Sequence, residues 1–253
     1  MDTYLPRTYL PIVETPATEH RRTSFRVDFQ ESAWRVGVGL GCGSLVGFLV
    51  GGPLARLLMF ALRLTSPHGV RGVTSDDGFT IGVVSTDSLF LLLVCGGLGA
   101  VAGIVYACFR RAIRDRRIGI ALWTMLCAAV AGAGLVHTDG VDFTLLEPTG
   151  LSVGGFIALP ALTGLVIALL VERCSSITPG RNRATVAVLA PGLLAPPAIL
   201  GAVGVALTLT IVGRMSGPGV RRAARLAVPV LTTVAIVVAV ADIVNDVNVL
   251  TSP

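Results

Sequence analysis

Short arginine-rich segments and polar loops cut the chain into apolar runs, each near or beyond the roughly 20 residues that an α-helix needs to cross a bilayer. The runs are residues 34–52, 88–109, 118–136, 153–171, 184–213 and 226–244. In hydrocarbon each backbone polar group must be satisfied within its own segment, so runs of this length fold as helices. Composition agrees: 53% of the 253 residues are hydrophobic, only 14% are charged, and the mean hydropathy is +0.80. An ordinary soluble domain is excluded. The expected fold is all-α, a polytopic transmembrane helical bundle of six spans over residues 34–253. Residues 1–33 are read as a disordered cytoplasmic tail, with Pro6, Pro11, Pro16, Arg21, Arg22 and Arg26. It has no apolar h-region, so it is not a signal peptide. A short interfacial helix over Ser24–Trp34 is expected at its end, anchored by Phe25, Phe29 and Trp34.

The first run carries the feature expected to hold the bundle together. Val36–Gly52 reads VGVGLGCGSLVGFLVGG, and Gly39, Gly43, Gly47 and Gly51 recur every four residues, widened by Gly37 and Gly41. On a helix these form one bare stripe, which lets a second helix approach closely. In water each glycine would cost about 1 kcal/mol against alanine. The second run has its own small-residue line, Gly96, Gly99, Ala100 and Gly103, and the third repeats it at Ala128, Ala129, Gly132 and Ala133. Pro53 closes the first run. LARLLMFALRL follows it, with Arg56 and Arg63 on one face, as a segment lying in or rising from the outer interface. Pro160 is expected to kink the fourth run.

Arginine placement sets the orientation. All 20 basic residues are arginine. The N-terminal region to Arg35 and the loops 110–117 and 172–183 are arginine-rich, whereas loop 65–87 has only Arg71 and loop 137–152 has none. The N-terminus is therefore expected in the cytoplasm. The count then conflicts with the rule, because six simple spans put Arg214, Arg221, Arg222 and Arg225 outside. Either 184–213 is one tilted span and the rule is broken, or it is a re-entrant hairpin broken at PGLLAPP. Six spans is the expectation. Because the charge sits between apolar runs, it is not read as nucleic-acid binding.

The candidate ligand or cation residues lie in the two outer loops: His68, Asp76, Asp77 and Asp87 in one, His137, Asp139, Asp142 and Glu147 in the other. Clustered carboxylates suit a hard divalent cation, but the spacing fits no known calcium loop, and Asp-Gly is also an ordinary turn. No metal site or cofactor is expected. SDDGFTIG and TDGVDFTL echo one another as if a helical hairpin had been duplicated. Asp242 and Asp246, one turn apart at the end of the last run, are read as a solvated helix end, with pairing to an arginine of a neighbouring helix as the alternative; Glu172 and Arg173 sit at a helix end. The five cysteines, with no CxxC pair, are read as buried small hydrophobes. The chain contains no phosphate loop, HExxH or GxSxG, and no Ser–Lys dyad, since it has no lysine.

The stretches DDGFTIG (Asp76–Gly82), GGPLARLLMFALRLTSP (Gly51–Pro67) and GVDFTLLEP (Gly140–Pro148) resemble a group of multi-span actinobacterial membrane proteins. That resemblance implies a bacterial plasma-membrane location and carries no activity or functional residue with it. The function expected from the residues is a non-enzymatic accessory or scaffold component, whose partners are the lipid bilayer and a membrane protein or a second copy met through glycine faces. A small-solute permease built around the proline-broken fifth run is the alternative. A lipid-acting enzyme using the outer acidic loops is the weaker one.

Overall fold

The computed structural model describes residues 17–66, 86–113, 115–136, 148–176, 190 and 218–251. Among them every extended element is helical and no strand occurs. The helices are α1 (Ala17–Val46), α2 (Gly52–Thr65), α3 (Thr86–Phe109), α4 (Arg116–Leu126), α5 (Gly132–Leu135), α6 (Thr149–Ser175) and α7 (Pro218–Thr251). Wide π turns, Gly47–Gly51 and Cys127–Ala131, join α1 to α2 and α4 to α5 without breaking the helical path. Among the described residues, five stretches are long and apolar enough to cross a membrane: Gln30–Thr65, Ser88–Phe109, Arg116–Leu135, Thr149–Ser175 and Leu226–Leu250. Their outward faces are apolar, as at Leu49, Phe60, Phe90, Leu98 and Val237, which suits a hydrocarbon solvent. The sixth expected run, 184–213, lies outside the described residues except for Ala190.

Several boundaries differ from expectation. Helix α1 begins at Ala17, so the stretch read as a disordered tail enters the first helix. Trp34 is no interfacial anchor; its ring is buried in the main core with Val38, Tyr106 and Trp123. The first helix does not stop at Pro53. Proline cannot donate to the Leu49 carbonyl and its ring crowds that turn. The π turn absorbs the conflict: the Gly52 N–H reaches back to the Gly47 carbonyl, and Pro53 falls in the first turn of α2. A mid-helix π turn of this kind is a known device for accommodating an irregular position. The chain 54–64 thus continues the helical path of the first run without a break.

Helices α1 and α3 run antiparallel at backbone contact. A Cβ placed on Gly39 would lie 2.5 Å from the Gly103 carbonyl oxygen, and a Cβ on Gly43 or Gly47 would come closer still to the carbonyls of Gly99 and Cys95. Each step of four residues up α1 meets four residues down α3, so the close approach persists for about two turns. Gly51 leaves this line. The π turn rotates it towards α6, where its missing side chain faces Thr163.

Helix α6 packs across α1, α2 and α4. Leu58 lies over Gly155, Leu62 packs on Phe156, and Cys127 fills the notch at Gly164. Pro160 lies inside α6, which continues through it. Helix α7 packs on α4, the second π turn and α5. Its Ile243 meets Gly132, while Val228 lies against the core cluster that holds Trp34, Phe109 and Trp123. Fifteen residues of helix rise about 22 Å, so α7 runs parallel to α4. Its first residues therefore lie at the same end of the bundle as Arg116 and Glu172.

Substituting Gly43 or Gly99 by alanine is expected to force α1 and α3 apart and to cost about 1–3 kcal/mol through overpacking. Gly134→Ala and Gly154→Ala, where nothing lies within 4 Å of the new methyl group, are expected to be neutral or slightly stabilising. Thermal midpoints of the purified protein in a mild detergent distinguish the two pairs.

Candidate functional site

The most developed polar cluster lies where α3 ends, α4 begins and α6 finishes. One Glu172 oxygen accepts from the Tyr106 hydroxyl at 3.0 Å and from Arg110 Nε at 2.5 Å. The other oxygen lies 3.5 Å from Arg116 Nε. Arg110 also donates to the Ile113 carbonyl, closing the turn after α3. Arg111 reaches Ser32 of α1, whose side chain is fully buried. The Glu172 side chain is 15% exposed and that of Arg110 is 26% exposed. A carboxylate at this depth is costly to desolvate unless it is paired, and here both oxygens are engaged. Tyr106 is held from behind by Trp123, with ring centroids 5.5 Å apart, and Phe109 packs on the same indole at 5.8 Å.

Asp115 starts α4. Its Oδ1 accepts from the backbone N–H groups of Arg117 at 2.7 Å and Ile118 at 3.1 Å, an N-cap that satisfies two donors left open by the first turn. These backbone bonds hold its carboxyl below the usual aspartate range. Protonation would remove the charged acceptor.

A second polar locus lies deeper. Both π turns face α6 at consecutive residues, Gly51 opposite Thr163 and Cys127 opposite Gly164. Trp123 Nε1 lies 3.5 Å from the place of the missing Gly164 side chain. Trp123 Nε1 and Thr163 Oγ1 are buried and find no hydrogen-bond partner among the described residues. π turns inside helices are frequent at functional positions.

The expected site residues fall elsewhere. His68, Asp76, Asp77, His137, Asp139, Asp142 and Glu147 all lie outside the described residues; Asp87 falls in the first turn of α3. Asp242 is exposed and Asp246 half-buried on α7. Glu172, placed by the sequence at a helix end, is a carboxylate that meets arginine from another element; Glu31 pairs with Arg35 within α1. The available signal was a lone acid at the end of an apolar run in a chain whose most basic segment, 110–117, follows a neighbouring run. Among the described residues no three His, Cys, Asp or Glu side chains gather as a metal site. The five cysteines are unbridged, Cys42 and Cys174 being buried and adjacent across α1 and α6.

Chemically, the Glu172 cluster ties three elements together, one carboxylate oxygen accepting two hydrogen bonds and the other lying in ion-pair range of Arg116. It is built to hold the basic end of the bundle in one arrangement. Compared with known proteins, the chain matches no family model, and no curated protein or solved structure is significantly similar to it.

Arg110→Ala and Glu172→Ala are each expected to lower the thermal midpoint in detergent, with a double-mutant coupling of about 1–3 kcal/mol. The more exposed Arg116 should couple to Glu172 by less than about 1 kcal/mol. For Asp115 the folded carboxyl is depressed, so its contribution is complete above the unfolded aspartate range and is lost as pH falls through the folded value. An acid titration of thermal stability should show this loss in the parent protein and its absence in Asp115→Ser, which caps without charge.

Proposed function

We propose that the chain is a non-enzymatic accessory or scaffold component of a bacterial plasma membrane, with its N-terminus in the cytoplasm. The close α1–α3 approach is the packing hub of the bundle in this reading. The observation that carries it is the pairing of Glu172 with Tyr106, Arg110 and Arg116: the best-formed polar cluster is spent on joining α3, α4 and α6. The exposed apolar faces of the spans then supply contact area for lipid and for a membrane partner. Cytoplasmic placement of the basic end follows the distribution of arginine, and the actinobacterial likeness of the outer-loop motifs agrees with a bacterial membrane.

A second reading, a permease for a small solute, draws on the deep locus between the π turns, where Trp123 Nε1 and Thr163 Oγ1 lie in the interior. Lipid chemistry at the outer acidic loops is the weakest reading.

Purification of the tagged full-length protein from native membranes in mild detergent, with stoichiometry by mass spectrometry, tests the scaffold reading. A specific partner near one-to-one, lost on Gly43→Ile but kept in Gly154→Ala, is the expected result. A monomer or self-assembly with no partner overturns it and transfers the weight to transport assays on Thr163→Val.

A further inference from the structure

Four apolar spans stop at one end of the bundle: Ser88–Phe109 and Thr149–Ser175 finish there, and Arg116–Leu135 and Leu226–Leu250 start there. Arg110, Arg116 and Glu172 tie the first three together. Helix α7 brings Arg222 to the same level. Val228 packs on the core cluster that holds Trp123, and Arg222 precedes Val228 by the same six residues by which Arg117 precedes Trp123, about 9 Å of helix in each case. Arg110, Arg111, Arg116, Arg117, Arg173 and Arg222 thus gather where hydrocarbon gives way to headgroups. The carboxylates beside them are committed: Glu172 to Tyr106, Arg110 and Arg116, and Asp115 to capping α4. Among the described residues, Arg117, Arg173 and Arg222 are exposed and belong to no ion pair. Arg116 meets Glu172 through Nε with its side chain 58% exposed, which leaves its terminal nitrogens as further donors. Arg221 and Arg225 of α7 add charge and no acid.

We propose that this end of the bundle is a binding surface for anionic phospholipid, whose phosphates are held by Arg117, Arg173 and Arg222, with Arg116 as a supplementary donor. Two observations select that occupant. The uncompensated charge lies at the ends of the apolar spans, the depth at which a phospholipid carries its phosphate, and a guanidinium presents a fork of donors that fits phosphate oxygens. Each of the three arginines also heads an exposed apolar strip on its own helix, since residues about four apart share a face. Leu226 and Val230 follow Arg222, Ala121 and Met125 follow Arg117, and Leu169 and Leu162 precede Arg173. An acyl chain hanging from a bound phosphate lies along such a strip. A soluble polyanion would meet the charge and leave the strips unused, and a zwitterionic lipid brings its own cation to an end already rich in them. Basic clusters at the ends of spans attract anionic headgroups in this way. The surface rests on charge and exposure, so it holds for a scaffold and for a permease alike.

The test is native mass spectrometry of the full-length protein released from mild-detergent micelles that contain equimolar phosphatidylglycerol and phosphatidylcholine. Selective retention of phosphatidylglycerol is the expected result. An arginine beside an anionic surface is worth about five-fold in affinity, so Arg117→Gln, Arg173→Gln and Arg222→Gln each lower that retention by about this factor. Arg117→Lys, Arg173→Lys and Arg222→Lys keep the charge and retain most of the preference. Arg63→Gln, on α2, leaves it unchanged. Equal retention of the two lipids would overturn the proposal, as would a preference that all three Gln variants keep. An equal fall in the Lys series would trace the effect to packing, and an equal fall in Arg63→Gln would trace it to net charge; either result counts against the surface. Full displacement of phosphatidylglycerol by inorganic phosphate at constant ionic strength would mark a site for small anions and overturn the lipid assignment.

Discussion

The first and second spans of the described bundle meet at backbone contact between α1 and α3. Carbonyl oxygens of Gly103, Gly99 and Cys95 occupy the space that side chains at positions 39, 43 and 47 would need. In lipid, apolar side chains gain little from leaving the solvent, so helix association relies on dispersion contacts made at close range. A glycine line would cost helix propensity in water, a cost that close backbone contact offsets in an apolar solvent. With this pair fixed, α6 lies across both through Cys174, Val171 and Ile167, and Trp123 of α4 closes the core.

The two π turns follow from packing demands at particular residues. At Pro53 a missing N–H would have ended or bent the helix, and the wider turn carries the span onward with a changed rotation. That rotation takes Gly51 off the α3 backbone, leaving only the Cys95 side chain at 4.0 Å, and turns it to Thr163. The second π turn places Cys127 over Gly164 and leaves the Trp123 indole directed at the same notch. Two independent departures from regular helix therefore converge on one dipeptide of α6.

The Glu172 cluster shows how a membrane bundle uses charge at its edge. A carboxylate at the end of an apolar helix is tolerable only with cations and hydroxyl donors in place, and α3 supplies both from a single turn, Tyr106 and Arg110. Arg116 adds a weaker, more exposed contact. The cluster fixes the spacing of three helix ends and the direction of the turn that starts α4, where Asp115 caps.

Length, hydropathy and glycine spacing were legible in the linear chain because they are local: twenty apolar residues suffice for a span, and four-residue spacing suffices for a bare stripe. The partners were not legible, since spacing within α6 carries no information about which helix end will stand beside Glu172. Nor was the continuation through Pro53, because the tolerance of a proline depends on whether the neighbouring turn can widen against α3 and α6. The direction of α7 was decided by the tertiary structure alone. Hydropathy gives each run the means to cross but never the side from which it starts, and only the contacts of Val228 and Ile243 fix that side.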